Sequence, residues 1–105
     1  MVKLTVLYGQ PKDPPAFERY YLGTHTPIAL KVAGVRRFEI AKVAGTADGS
    51  PSPYYRTADL YFDDIAHLQQ CMGSDEGKAA AADIANFATG GVTMLIADVQ
   101  DLSSR

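Results

Sequence analysis

The chain has 105 residues, a net charge of −2 and 47% hydrophobic residues, which suits one domain with a single modest core and excludes a disordered chain. Arg36-Arg37 is the only basic doublet, and as strand neighbours its two side chains point to opposite faces, so no concentrated positive surface for nucleic acid is expected. A lone cysteine, Cys71, rules out an internal disulfide framework and fits a reducing, cytoplasmic setting; neither a signal peptide nor a membrane-spanning stretch is expected.

Residues 2–8 alternate, with Val2, Leu4, Val6 and Tyr8 on one face and Lys3, Thr5 and Leu7 on the other, the pattern of a half-buried strand. Gly9 to Pro15 form a turn, in which Asp13 can cap a helix opened by Pro14 and Pro15, where a missing N–H costs little. That helix runs to about Lys31. Pro27 lies inside it and removes the hydrogen bond to the Gly23 carbonyl, so a kink is expected there, or a fresh start with Thr26 as cap. Gly34 ends the helical region, and residues 35–43 alternate again, with Phe38 and Ile40 opposed to Arg37 and Glu39. Residues 44–53 are rich in Gly, Ser and Pro and read as a mobile loop, a candidate lid. A third strand covers 55–62. Asp63 or Asp64 caps a short helix ending near Met72, and Ser74 caps an alanine-rich one ending near Phe87. Gly90-Gly91 breaks it before a last strand over 92–99.

The order β-α-β-β-α-β predicts an α+β domain, a ferredoxin-like four-stranded antiparallel sheet with helices on one side, spanning residues 1–105. The apolar face of every strand should meet the helices. The opposite face mixes Lys3, Arg37, Glu39 and Asp59 with Leu7, Leu95 and Val99, too apolar for a purely solvated surface. Two such faces packed together would bury the apolar residues and let the charges pair, so a homodimer with a shared barrel is expected.

At about 100° per residue, Phe17, Tyr21, His25 and Ile28 fall on one side of the first helix, with Tyr20 and Thr24 close by. His25 therefore points toward a core or pocket, at a helix irregularity and beside tyrosine hydroxyls. Tyr8 ends the first strand on its helix-facing side, so Tyr8, Tyr21 and His25 can converge. Imidazole moves protons near neutral pH, and phenols orient a polar ligand. The competing reading is a semi-buried histidine bonded to a backbone carbonyl at the proline kink.

The run Phe17, Tyr20-Tyr21, His25-Thr26-Pro27, followed by Gly34-Val35-Arg36-Arg37-Phe38-Glu39, resembles the EthD family, and Asp59-Leu60-Tyr61-Phe62, Ser74-Asp75-Glu76-Gly77 and Asp83-Ile84-Ala85-Asn86-Phe87 agree. The resemblance covers nearly the whole chain. It departs at Ala33, where the family often has proline, which bears on a turn and not on chemistry. The family is named for a protein tied to bacterial degradation of ethyl tert-butyl ether. It implies the dimeric α/β-barrel group, whose members include small monooxygenases, muconolactone isomerase, haem-handling enzymes and polyketide cyclases or decarboxylases. It also implies a ligand cavity between helix and sheet. On that expectation His25 and Tyr21 are the candidate catalytic residues, and Tyr8, Phe17, Tyr20 and Phe62 the candidate ligand-binding ones.

Other constellations read as structural. His67 and Cys71, four apart on a helix, have metal-ligand spacing but no partner pair, so a surface histidine and a buried cysteine are expected, and no metal. No feature asks for haem or another cofactor. Asp59, Glu39 and Arg37 suit cross-strand ion pairs in the dimer barrel better than an acid–base set, and the glycines lack phosphate-loop spacing. Two functions stand open: a cofactor-independent catabolic enzyme performing proton transfer, decarboxylation or oxygenation on a small organic molecule, and a non-catalytic carrier or accessory protein for an oxidative degradation system.

Overall fold

The structure, a computed structural model, describes residues 1–103. Four strands form one antiparallel sheet: β1 (Val2–Gly9), β2 (Arg37–Lys42), β3 (Tyr54–Phe62) and β4 (Val92–Asp98), in the order β2-β3-β1-β4. In β1 the register sets Val2 opposite Phe62 and Tyr8 opposite Arg56, and, on its other edge, Val2 opposite Asp98 and Tyr8 opposite Val92. β2 pairs with β3, Phe38 facing Leu60. This is the expected ferredoxin-like α+β arrangement. Among the described residues no helix is long and apolar enough to cross a membrane.

The helices are α1 (Pro14–Tyr20), α2 (Thr26–Ala29), α3 (Ile65–Met72) and α4 (Asp75–Asp83), with a 3-10 turn over Ile84–Asn86. Side-chain caps start three of them. Asp13 accepts from the Ala16 N–H at 3.1 Å, Asp64 from that of His67 at 2.8 Å and Ser74 from that of Gly77 at 3.1 Å. Each satisfies a donor that the first helical turn leaves free. Ser74 also donates its hydroxyl to the Cys71 carbonyl at 2.6 Å, tying α3 to α4. Ser74→Ala loses both bonds and is expected to cost about 1 kcal/mol in urea unfolding, with an unchanged denaturant slope.

The helices cover the sheet face carrying Val2, Leu4, Val6, Tyr8, Ala58, Leu60 and Phe62, all buried. The expectation that every strand's apolar face meets the helices fails at β4. Met94 and Ile96 share that face but are 44% and 55% exposed, because β4 is an outer strand and the helical layer sits over β1 and β3. On the opposite face the charges pair within the sheet. Asp59 accepts from Thr5 at 2.6 Å and lies 3.5 Å from Lys3, while Glu39 takes Arg37 at 2.6 Å and the Tyr61 hydroxyl at 3.1 Å. Residues 44–53 close on a turn in which Asp48 accepts from the Ser50 N–H and hydroxyl and from Thr46.

Candidate functional site

Pro27 has no N–H to give the Gly23 carbonyl, and the helix answers with a wide, π-type turn over Tyr21–His25 before α2 restarts at Thr26. Thr26 donates both its N–H and its hydroxyl to the Tyr21 carbonyl, the latter at 2.8 Å. The turn aims Tyr21 and His25 inward, 1% and 6% exposed, with their rings nearly parallel at 5.8 Å. Beneath them Tyr8 meets Tyr21 edge-on at 5.3 Å, and Phe87, from the loop after the 3-10 turn, wedges against His25 at 4.6 Å.

His25 Nδ1 lies 2.9 Å from Asp83 Oδ2, not against a backbone carbonyl. The other carboxylate oxygen of Asp83 accepts from the Tyr20 hydroxyl at 2.6 Å and from Asn86 Nδ2 at 2.9 Å. Burial works to raise the Asp83 carboxyl, but the bonds from Tyr20, Asn86 and His25 outweigh it and hold the carboxyl below its ordinary range. The sign for stability follows. A carboxyl lowered in the folded state stabilises above its unfolded pKa of about 3.9, and that contribution is lost as pH falls through the folded value. The thermal midpoint should therefore fall more steeply below about pH 4 for the natural protein than for Asp83→Asn.

A small, partly open cavity of about 50 Å³ lies between helices and sheet. Its walls are apolar, Leu4, Val6, Ala29, Phe38, Leu60, Met72, Ile84 and Met94 among them, and its polar side chains are Tyr8, Tyr21 and His25. Neither tyrosine hydroxyl has a hydrogen-bond partner among the described residues, yet every side-chain oxygen and nitrogen sealed from solvent has one. The two hydroxyls therefore reach space open to a water-sized molecule, and that space is the cavity they line. Burial pushes the Tyr21 phenol up to about 12 and raises Tyr8 as well, so both stay neutral O–H donors at neutral pH. Behind Tyr21, buried Arg56 sits 5.3 Å over the ring and is held by Glu18 through two bonds of 3.0 and 2.8 Å.

The profile of the EthD domain family matches residues 9–91. The chain belongs to this family. An uncharacterized 11.0 kDa protein of the thcB-thcC intergenic region in Rhodococcus erythropolis is 44% identical over 98 residues, covering 93% of this chain and 94% of that one. The crystal structure of an EthD family protein from Bacillus halodurans superposes with a TM-score of 0.89 at 39% identity, over 95% of this chain and 99% of the other. At the level of fold, a cofactor-independent oxygenase from Streptomyces nogalater superposes with a TM-score of 0.66 at 13% identity, over 97% and 96% of the two chains.

In this EthD domain, three of the residues singled out from sequence, Tyr8, Tyr21 and His25, line the cavity together. Phe17 packs among Tyr8, Tyr21, Tyr55 and Phe87 in the core, and Phe62 is fully buried beside His67; neither lines the cavity. Tyr20 lies outside it, on Asp83. None of residues 44–53 borders it. His67 is half-buried rather than at the surface, its Nδ1 accepting from the Asp63 N–H at 2.9 Å. The residues that sequence reading gave no role are Asp83, Asn86, Glu18 and Arg56. Asp83 did carry a signal: an acid in the last turn of α4, where the helix dipole disfavours negative charge.

Proposed function

We propose that this EthD protein binds a small organic molecule in the cavity and transfers a proton on it without a cofactor, His25 being the proton-transfer group and Tyr8 and Tyr21 the donors to a ligand oxygen. One observation carries the reading: the three polar side chains of an otherwise apolar cavity are an imidazole and two hydroxyls with no protein partner for the hydroxyls among the described residues. Proton removal next to a carbonyl or phenol gives an enolate or phenolate, whose oxygen the two tyrosines would hold. A carbanion of that kind is also what dioxygen attacks in cofactor-independent oxygenation, the activity of the Streptomyces nogalater relative in fold. The cavity is smaller than the roughly 150 Å³ that houses a benzene ring, so the ligand is small or enters as Met72 and Met94, both flexible side chains on its wall, swing aside.

A homodimer belongs to the same reading, supported by apolar exposure on β4, where Met94, Leu95 and Ile96 are 44%, 51% and 55% exposed across both faces. A cytoplasmic, degradative setting is supported by the buried free thiol of Cys71 and by the family's membership.

The test is deuterium exchange from heavy water into the α-positions of cyclopentanone and other small ketones, followed by proton NMR. The natural protein should accelerate exchange, and His25→Ala should slow it by about 10²–10⁴-fold. Ketone binding with no exchange points instead to a carrier, and accelerated exchange that is indifferent to His25 removes His25 as the proton-transfer group.

A further inference from the structure

We propose that Asp83 is the positioning residue of this site: oriented by Tyr20 and Asn86 from its outer side, it fixes the neutral His25 imidazole with the proton on Nδ1 and leaves Nε2 as a base. The inference rests on the proton-transfer reading above and gives it a direction, since it makes His25 a proton acceptor and not a donor toward a neutral ligand.

The argument starts from donors and acceptors. An ionised carboxylate offers only lone pairs, so at 2.9 Å from Asp83 Oδ2 the Nδ1 atom must carry the hydrogen. In a neutral imidazole the other nitrogen then has none. Tyr20 and Asn86 both give hydrogens to Oδ1, which pins the carboxylate and leaves Oδ2 to the histidine alone. The other charged or titratable groups around His25 do not compete for Nδ1. Tyr21, on the same turn, stacks flat on the ring. Tyr8, from β1, lines the cavity beside it. Arg56, from β3, is taken up by Glu18 of α1. Asp83 itself also borders an outer groove with Ile28, Lys31 and Glu76, so the clamp sits between cavity and surface, and Tyr20, outside the cavity, tunes a group inside it.

The two donors on Oδ1 make the substitution Asp83→Asn informative. They require an acceptor at that position, so the new side chain must set its carbonyl oxygen there and its NH₂ toward His25. That NH₂ donates to Nδ1, which becomes the acceptor, and the imidazole proton moves to Nε2. All hydrogen bonds survive, so the fold should too; only the tautomer inverts.

The experiment is nitrogen-15 NMR of the His25 side chain above its titration range, on the natural protein, Asp83→Asn and Tyr20→Phe, with thermal unfolding as the check on folding. The natural protein and Tyr20→Phe should show the hydrogen on Nδ1. Asp83→Asn should shift the tautomer ratio at least about tenfold toward Nε2–H and slow ketone exchange at least about 100-fold. A hydrogen on Nε2 in the natural protein overturns the proposal, whether or not any variant folds. So does a folded Asp83→Asn protein whose tautomer is unchanged. No ligand is needed for this measurement, so a failure of the exchange assay with the tautomers as stated sinks the proton-transfer reading and leaves the positioning role standing.

Discussion

Phe87→Ala is expected to remove about 4 kcal/mol of stability, against a typical domain's margin of about 5–15 kcal/mol. Phe87 is 5% exposed and stands between the rings of Tyr8 (5.4 Å), Phe17 (5.2 Å), Tyr20 (5.5 Å), Tyr21 (5.6 Å) and His25 (4.6 Å). These rings come from β1, α1 and the wide turn, so no single side-chain movement fills the hole. Urea unfolding measures the loss. A cost below about 1 kcal/mol would mean that the surrounding rings collapse inward and that Phe87 is not the wedge that sets His25. Phe87→Leu keeps most of the volume and should cost under about 1.5 kcal/mol.

Asp83→Ala is expected to cost about 3 kcal/mol, because three groups lose the buried carboxylate they share, and to lower the thermal midpoint by about 15 °C. The substitution strands His25 Nδ1 in the interior and leaves Tyr20 and Asn86 without their shared acceptor. The comparison with Asp83→Asn isolates the cause. If lost hydrogen bonds dominate, the asparagine variant stays close to the natural protein at neutral pH; if lost charge dominates, it falls with the alanine variant. Differential scanning calorimetry of the three proteins at one pH distinguishes the two cases.

Both substitutions fall on residues whose roles sequence reading missed, and for the same reason. Phe87 and Asp83 lie about sixty residues from the helix they complete, and pattern reading has a reach of one or two helical turns. Within that reach it did well. Alternation in 2–8 and 55–62 gave the buried faces of β1 and β3. Pro27 marked the irregular turn, Asp13 and Ser74 two helix starts and the pair Asp63 or Asp64 a third, which the structure gives to Asp64, and the 3.6-residue period the inward side of Phe17, Tyr21 and His25. Where it failed, the position of an element decided. Met94 and Ile96 have the same alternating pattern as Leu4 and Val6 but stay exposed, because strand order puts β4 at the sheet's edge. Phe62 shares the helix-facing side of the sheet with Tyr8, and Phe17 of α1 packs against Tyr8, yet neither borders the cavity.

By itself, then, the sequence determined the order of the elements, the sheet face that carries the core and the inward-pointing histidine, all of which follow from local periodicity, caps and breakers. Tertiary structure alone decided which group holds that histidine. Nothing local to His25 names its partner. Only when α4 packs across α2 does an aspartate meet the imidazole on one oxygen and two donors on the other, and burial, which makes every unpaired hydrogen bond costly, then fixes the set.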